Sequence, residues 1–67
     1  MDSLSGFVEK IKYRNEENGY AILSVESGGE DYVLVGTFPM ISEGEYITAE
    51  GHFQLHPTYG EQLAVET

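Results

Sequence analysis

Apolar and polar residues alternate with a period of two along most of the chain. That is the spacing of strands, not the 3.6-residue spacing of helices. Residues 6–13 place Phe7, Glu9, Ile11 and Tyr13 on one side and Val8, Lys10 and Lys12 on the other. Glu9 on the more apolar side predicts a bulge that re-phases the strand and turns Val8 and Ile11 inward together. Residues 19–26 set Ala21, Leu23 and Val25 against Tyr20, Ile22, Ser24 and Glu26. Residues 31–37 set Val33 and Val35 against Tyr32 and Leu34. Residues 45–53 set Ile47, Ala49 and Phe53 against Tyr46, Thr48 and Glu50, and residues 61–67 set Leu63 and Val65 against Gln62, Ala64 and Glu66.

Turn chemistry separates the five runs. Asn18-Gly19 closes a first hairpin loop that begins at Arg14, and both residues accept positive φ. Ser27-Gly28-Gly29-Glu30 makes the second turn, and Pro39, without a ladder donor, ends the third strand. Glu43-Gly44-Glu45 leads into the fourth strand and His56-Pro57-Thr58-Tyr59-Gly60 into the fifth. Residues 39–42 have room for one helical turn at most. Five short strands without a helix predict an all-β domain, a small five-stranded antiparallel barrel, because closure removes the exposed edges of an open sheet. An OB-like barrel, with a long bent first strand shared between its halves, fits best; an SH3-like barrel is the rival.

Size and charge narrow the function. Sixty-seven residues allow one domain and have no room for a complete ATPase, kinase or dehydrogenase. The chain has no Cys, so neither a disulfide framework nor Cys-ligated zinc is expected. No apolar run approaches the roughly 18 residues of a membrane span, and the N-terminus lacks the basic and apolar regions of a signal peptide. No membrane partner and a cytoplasmic location are therefore expected. Three cations against 12 carboxylates give a net charge of −9, which repels nucleic acid at long range.

The candidate chemistry is sparse. No phosphate-binding loop is present, and Gly28-Gly29 reads as a hairpin turn. His52 and His56 could hold a metal only with a carboxylate such as Glu50 or Glu61; a pair of rim histidines is the simpler reading. The carboxylates, Glu16-Glu17 and Glu30-Asp31 among them, read as solvated loop acids, because a barrel this small has no pocket to shift a pKa. Catalytic residues, metal and cofactors are thus expected to be absent. Two surfaces stand out. Lys10, Lys12 and Arg14 alternate along one strand at about 7 Å steps, suiting either the phosphates of a single strand or protection of an exposed strand. Tyr20, Ile22, Tyr32 and Leu34 form an outer apolar patch if Ala21, Leu23, Val25, Val33 and Val35 fill the barrel. Such a patch docks on a protein or stacks bases; with the faces inverted, these residues are core.

The motifs add a resemblance. Ser5-Gly6-Phe7-Val8-Glu9-Lys10-Ile11, Arg14-Asn15-Glu16-Glu17-Asn18-Gly19-Tyr20, Val35-Gly36-Thr37-Phe38-Pro39, Glu43-Gly44-Glu45, Gly51-His52-Phe53 and His56-Pro57-Thr58-Tyr59-Gly60-Glu61-Gln62-Leu63 follow in order. Together, over residues 4–65, they resemble the N-terminal domain of RecD-like ATP-dependent DNA helicases, relatives of the exodeoxyribonuclease V alpha subunit. The resemblance implies an OB-like domain ahead of helix-hairpin-helix and ATPase parts, and a parent that unwinds DNA 5′ to 3′ in repair or recombination. The Walker motifs that bind ATP and Mg²⁺ lie in parts absent here. Residues 1–67 are then a single accessory domain cut from a longer helicase, not an enzyme in itself. Its expected partners are the rest of that helicase and, weakly, single-stranded DNA. The alternative is a stand-alone small-barrel interaction domain unrelated to helicases; a metal-assisted hydrolase using His52 and His56 trails both.

Overall fold

The computed structural model describes residues 1–58 and 60–66. Tyr59 and Thr67, placed by the sequence in the last turn and at the end of the last strand, lie outside the described residues. Among the described residues the elements are β1 (Asp2–Arg14), β2 (Tyr20–Ser27), β3 (Glu30–Thr37), β4 (Tyr46–His56) and β5 (Gly60–Val65), with no helix. They close into a barrel in the order β1-β2-β3-β5-β4, the OB arrangement that the turn pattern favours. One seam departs from the expected antiparallel pairing: β3 and β5 run parallel, through Val33↔Gln62, Leu34↔Leu63 and Val35↔Ala64. An odd number of strands cannot alternate direction all the way round a closed ring, so one seam must be parallel.

β1 starts earlier than its alternation suggests. Its first half pairs with β4, from Asp2↔Gly51 to Phe7↔Tyr46, and its second half with β2, from Phe7↔Glu26 to Arg14↔Ala21. The predicted bulge is present between Val8 and Lys10, and a second lies between Ile11 and Tyr13. The loop at residues 15–19 is held by its own side chains. Asn15 Oδ1 accepts from the Glu17 N–H at 2.9 Å, and Asn18 Oδ1 accepts from the Tyr20 N–H at 2.9 Å. Gly19 has φ +77°, and its carbonyl accepts from Phe38 N–H at 3.0 Å. The stretch Asn15-Glu16-Glu17-Asn18-Gly19-Tyr20 of the resemblance is therefore spent on closing a loop and tying it to the β3–β4 connection.

The core consists of Val8, Ala21, Leu23, Val25, Leu34, Phe38, Ala49 and Leu63. This overturns the expected face of β3. A two-residue Gly28-Gly29 turn makes Ser27 pair with Glu30, and the ladder then sets Val25 opposite Tyr32 and Leu23 opposite Leu34. Cross-strand partners share a face, so Tyr32 and Leu34 turn inward with Val25 and Leu23. Leu34 is fully buried, and Tyr32 packs half-buried against the core with its ring 6.4 Å from Phe53. Val33 and Val35 go outside instead, where Ile22 and Ala64 flank Val35 on the neighbouring strands and cover it.

Candidate functional surface

The outer face of β1, β2, β3 and β5 carries the candidate site. Its outward positions are Lys10, Lys12 and Tyr13 of β1, Tyr20, Ile22 and Ser24 of β2, Val33, Val35 and Thr37 of β3, and Gln62 and Ala64 of β5. The same face continues to Glu26 of β2 and Asp31 of β3, which pair across the strands and put carboxylates at one end of it. Tyr13 and Tyr20 are 49% and 40% exposed, and their ring centroids lie 6.4 Å apart. Beside them lies a groove of about 390 Å³ lined by Lys12, Tyr13, Ile22, Val33 and Gln62. Of the expected apolar patch, Tyr20 and Ile22 are on this face; Leu34 and Tyr32 are not.

The basic row also breaks. The second bulge puts Tyr13 opposite Ile22 and Arg14 opposite the core residue Ala21. Arg14 therefore leaves the face of Lys10 and Lys12. Its Nη2 donates to the Phe38 carbonyl at 3.4 Å and the Pro39 carbonyl at 3.2 Å, and its Nε lies 3.8 Å from Glu16 Oε2. The guanidinium clamps the β3–β4 connection onto β1, a structural role. Replacing Arg14 by Met keeps the stem and removes these donors; urea unfolding should show a loss of about 1–3 kcal/mol. An unchanged midpoint would contradict the clamp.

The histidines do not converge. His52 Nε2 meets Glu66 Oε2 at 3.1 Å, while His56 Nδ1 accepts from the Thr58 N–H at 3.0 Å within the turn. No group of three or more His, Asp or Glu among the described residues is arranged to hold a metal. No helix among them is long and apolar enough to cross a membrane.

Carboxylates gather at one margin of the face. Glu26 pairs across the strands with Asp31, and Glu9, in the first bulge, hydrogen-bonds the Asp31 carboxylate. That bond, helped by lost solvation and by the charges of Asp31 and Glu26, raises the Glu9 carboxyl above its usual range. A raised folded-state pKa stabilises the fold fully below the ordinary Glu range, and the contribution is lost as pH rises through the raised value. Glu9→Gln should therefore melt higher than the natural chain at neutral pH, with the advantage gone by about pH 3.5. Calorimetry at the two pH values checks this, and a lower melting point for Glu9→Gln at neutral pH would contradict it.

A closed five-stranded barrel with the strand order β1-β2-β3-β5-β4 is a fold of the OB class. Residues 1–67 match the family described as the OB-fold domain of the ATP-dependent DNA helicase YrrC, and the chain belongs to that family. Searches of curated proteins and of solved structures return no match.

Proposed function

We propose that the chain is the N-terminal, non-catalytic accessory domain of a RecD-like 5′-to-3′ DNA helicase acting in repair or recombination. It works mainly by packing its outer β1–β2–β3–β5 face on the rest of that helicase or on a protein partner. The ordered motifs at residues 4–65 support the RecD-like assignment. The observation that carries the docking role is the face itself: half-exposed tyrosines and aliphatics gathered at one end, with the carboxylates Glu26 and Asp31 confined to the other, in a chain of net charge −9. Apolar burial there is indifferent to salt, whereas DNA binding is not.

Contact with single-stranded DNA is secondary. With Arg14 engaged in the clamp, only Lys10 and Lys12 serve phosphates. Two contacts release about 1.4 counterions at roughly 0.7 each, which supports only weak binding at physiological salt, on the order of 100 μM or worse. ATP and Mg²⁺ belong to the motor parts of the parent, and a cytoplasmic location follows from that role.

Paired variants in the parent helicase test the reading. Tyr13→Ser with Tyr20→Ser should lower unwinding and loosen the domain. Lys10→Glu with Lys12→Glu should change single-stranded DNA affinity by no more than about fivefold. If the lysine pair abolishes DNA binding and the tyrosine pair changes nothing, the docking role is wrong.

A further inference from the structure

The groove on the outer face holds a polar group without a partner. Gln62 is 5% exposed and lines the groove, yet its carboxamide makes no hydrogen bond among the described residues. Its amide atoms open on the groove rather than being sealed from solvent, so an incoming donor–acceptor pair would exchange with water there at little cost. The rest of the lining is Ile22 and Val33, the Tyr13 ring, and Lys12 at the rim. The volume of about 390 Å³ is at the small end for ligand sites, enough for one aliphatic side chain and its peptide unit.

Next to the groove lie Glu9, Glu26 and Asp31. Asp31 is two residues from Val33 on the same face of β3, about 7 Å along the strand. None of the three carboxylates forms an ion pair with a Lys, Arg or His among the described residues, and Glu9 shares a hydrogen bond with Asp31 instead. The cluster is negative charge held in no ion pair among the described residues, with Glu26 Oε2 accepting the Gly29 N–H at 2.8 Å, two residues along β3 from the apolar slot.

We propose that this groove receives an extended peptide segment of a protein partner, with one aliphatic side chain seated against Tyr13, Ile22 and Val33 and an adjacent Lys or Arg reaching Glu9, Glu26 and Asp31. This rests on the docking role and specifies its partner. The Gln62 carboxamide pairs with the N–H and C=O of the segment's backbone, and Lys12 donates to a further carbonyl. Because the barrel is closed, the segment lies across the strands and adds none. A base edge would satisfy Gln62 as well, but its phosphates would then stand within a Debye length, about 8–10 Å, of three carboxylates. Charge therefore favours the basic peptide over the nucleic acid.

The side-chain NH₂ signal of Gln62 in the ¹⁵N-labelled 67-residue chain is a direct reporter. The probes are a pool of nonapeptides with Lys or Arg flanking a varied aliphatic centre, a matched pool with Asp or Glu flanks, and a dodecathymidylate. The basic pool should shift the Gln62 signal with those of Tyr13 and Val33 and bind at least about tenfold tighter than the acidic pool. Glu26→Gln with Asp31→Asn, two surface changes, should cost about tenfold, the upper range for two exposed ion pairs. Gln62→Met should weaken binding further while the chain still folds. The inference is overturned if the acidic pool binds as well as the basic one, if the oligonucleotide alone moves Gln62, or if no probe moves it at millimolar concentration. Failure here, with the tyrosine variants still loosening the domain in the parent, would leave docking standing and remove only the groove's occupant.

Discussion

Replacing Leu34 by Ala is expected to cost about 2–5 kcal/mol, the range for emptying a fully buried aliphatic site. A domain of this length has on the order of 3–10 kcal/mol in total, at 0.05–0.15 per residue, so the variant should be largely unfolded in moderate urea. Ile22→Ala, on the outer face, should cost less than half as much. The comparison is informative because an alternation reading that fills the barrel with Val33 and Val35 puts Leu34 on the surface and makes the two substitutions equivalent. Urea unfolding followed by circular dichroism measures both. Equal midpoints for Leu34→Ala and Ile22→Ala would contradict the inward face of β3.

Gly51→Ala should be at least as damaging. Gly51 is buried in β4, paired to Asp2 of β1 and Val65 of β5, and a Cβ there would overlap the carbonyl oxygen of Ala64. The obstacle is backbone, which cannot rotate aside as a side chain does, so the β4–β5 seam must part. The Glu66 N–H to Glu50 carbonyl bond at 2.7 Å is in the same stretch and would go with it. The expected loss is about 4 kcal/mol or more, reached only by severe steric or core defects. A collapsed amide spectrum would show it; a variant melting within a few degrees of the natural chain would refute the tight seam.

Local signals in the chain carried much of the architecture. The period-two runs and five turn clusters located all five strands, and Glu9 on the wrong side of its strand marked the first bulge. The face of β3 was also within reach. Once Gly28-Gly29 is taken as a two-residue turn, Val25 must oppose Tyr32, and propensity for β-branched residues inside the barrel yields to that register. The second bulge, at Lys12, was not legible, because a lysine fits either a regular or a bulged exposed strand. Missing it kept Arg14 in line with Lys10 and Lys12, although the ladder carries it to the barrel's end. Gln62 was hidden for another reason. Its alternation marked it as an outward polar residue, but Val33 stands beside it across the β3–β5 seam, which forms only when the barrel closes.

Asn15 and Asn18 are spent on turn hydrogen bonds, and His56 accepts from Thr58 in the β4–β5 turn. Those motifs specify loops. The proposed docking face is built from less distinctive residues: Tyr13, Tyr20, Ile22, Val33 and Gln62.

Hydrogen exchange on the isolated 67-residue chain and on the same residues within the parent helicase tests the central claim most directly. If the outer face is a docking surface, amides of β2 and β3 around Tyr20, Ile22 and Val33 become slower to exchange in the parent without DNA, and the slowing persists at high salt. Protection that appears only when single-stranded DNA is added, and that salt removes, would contradict the account.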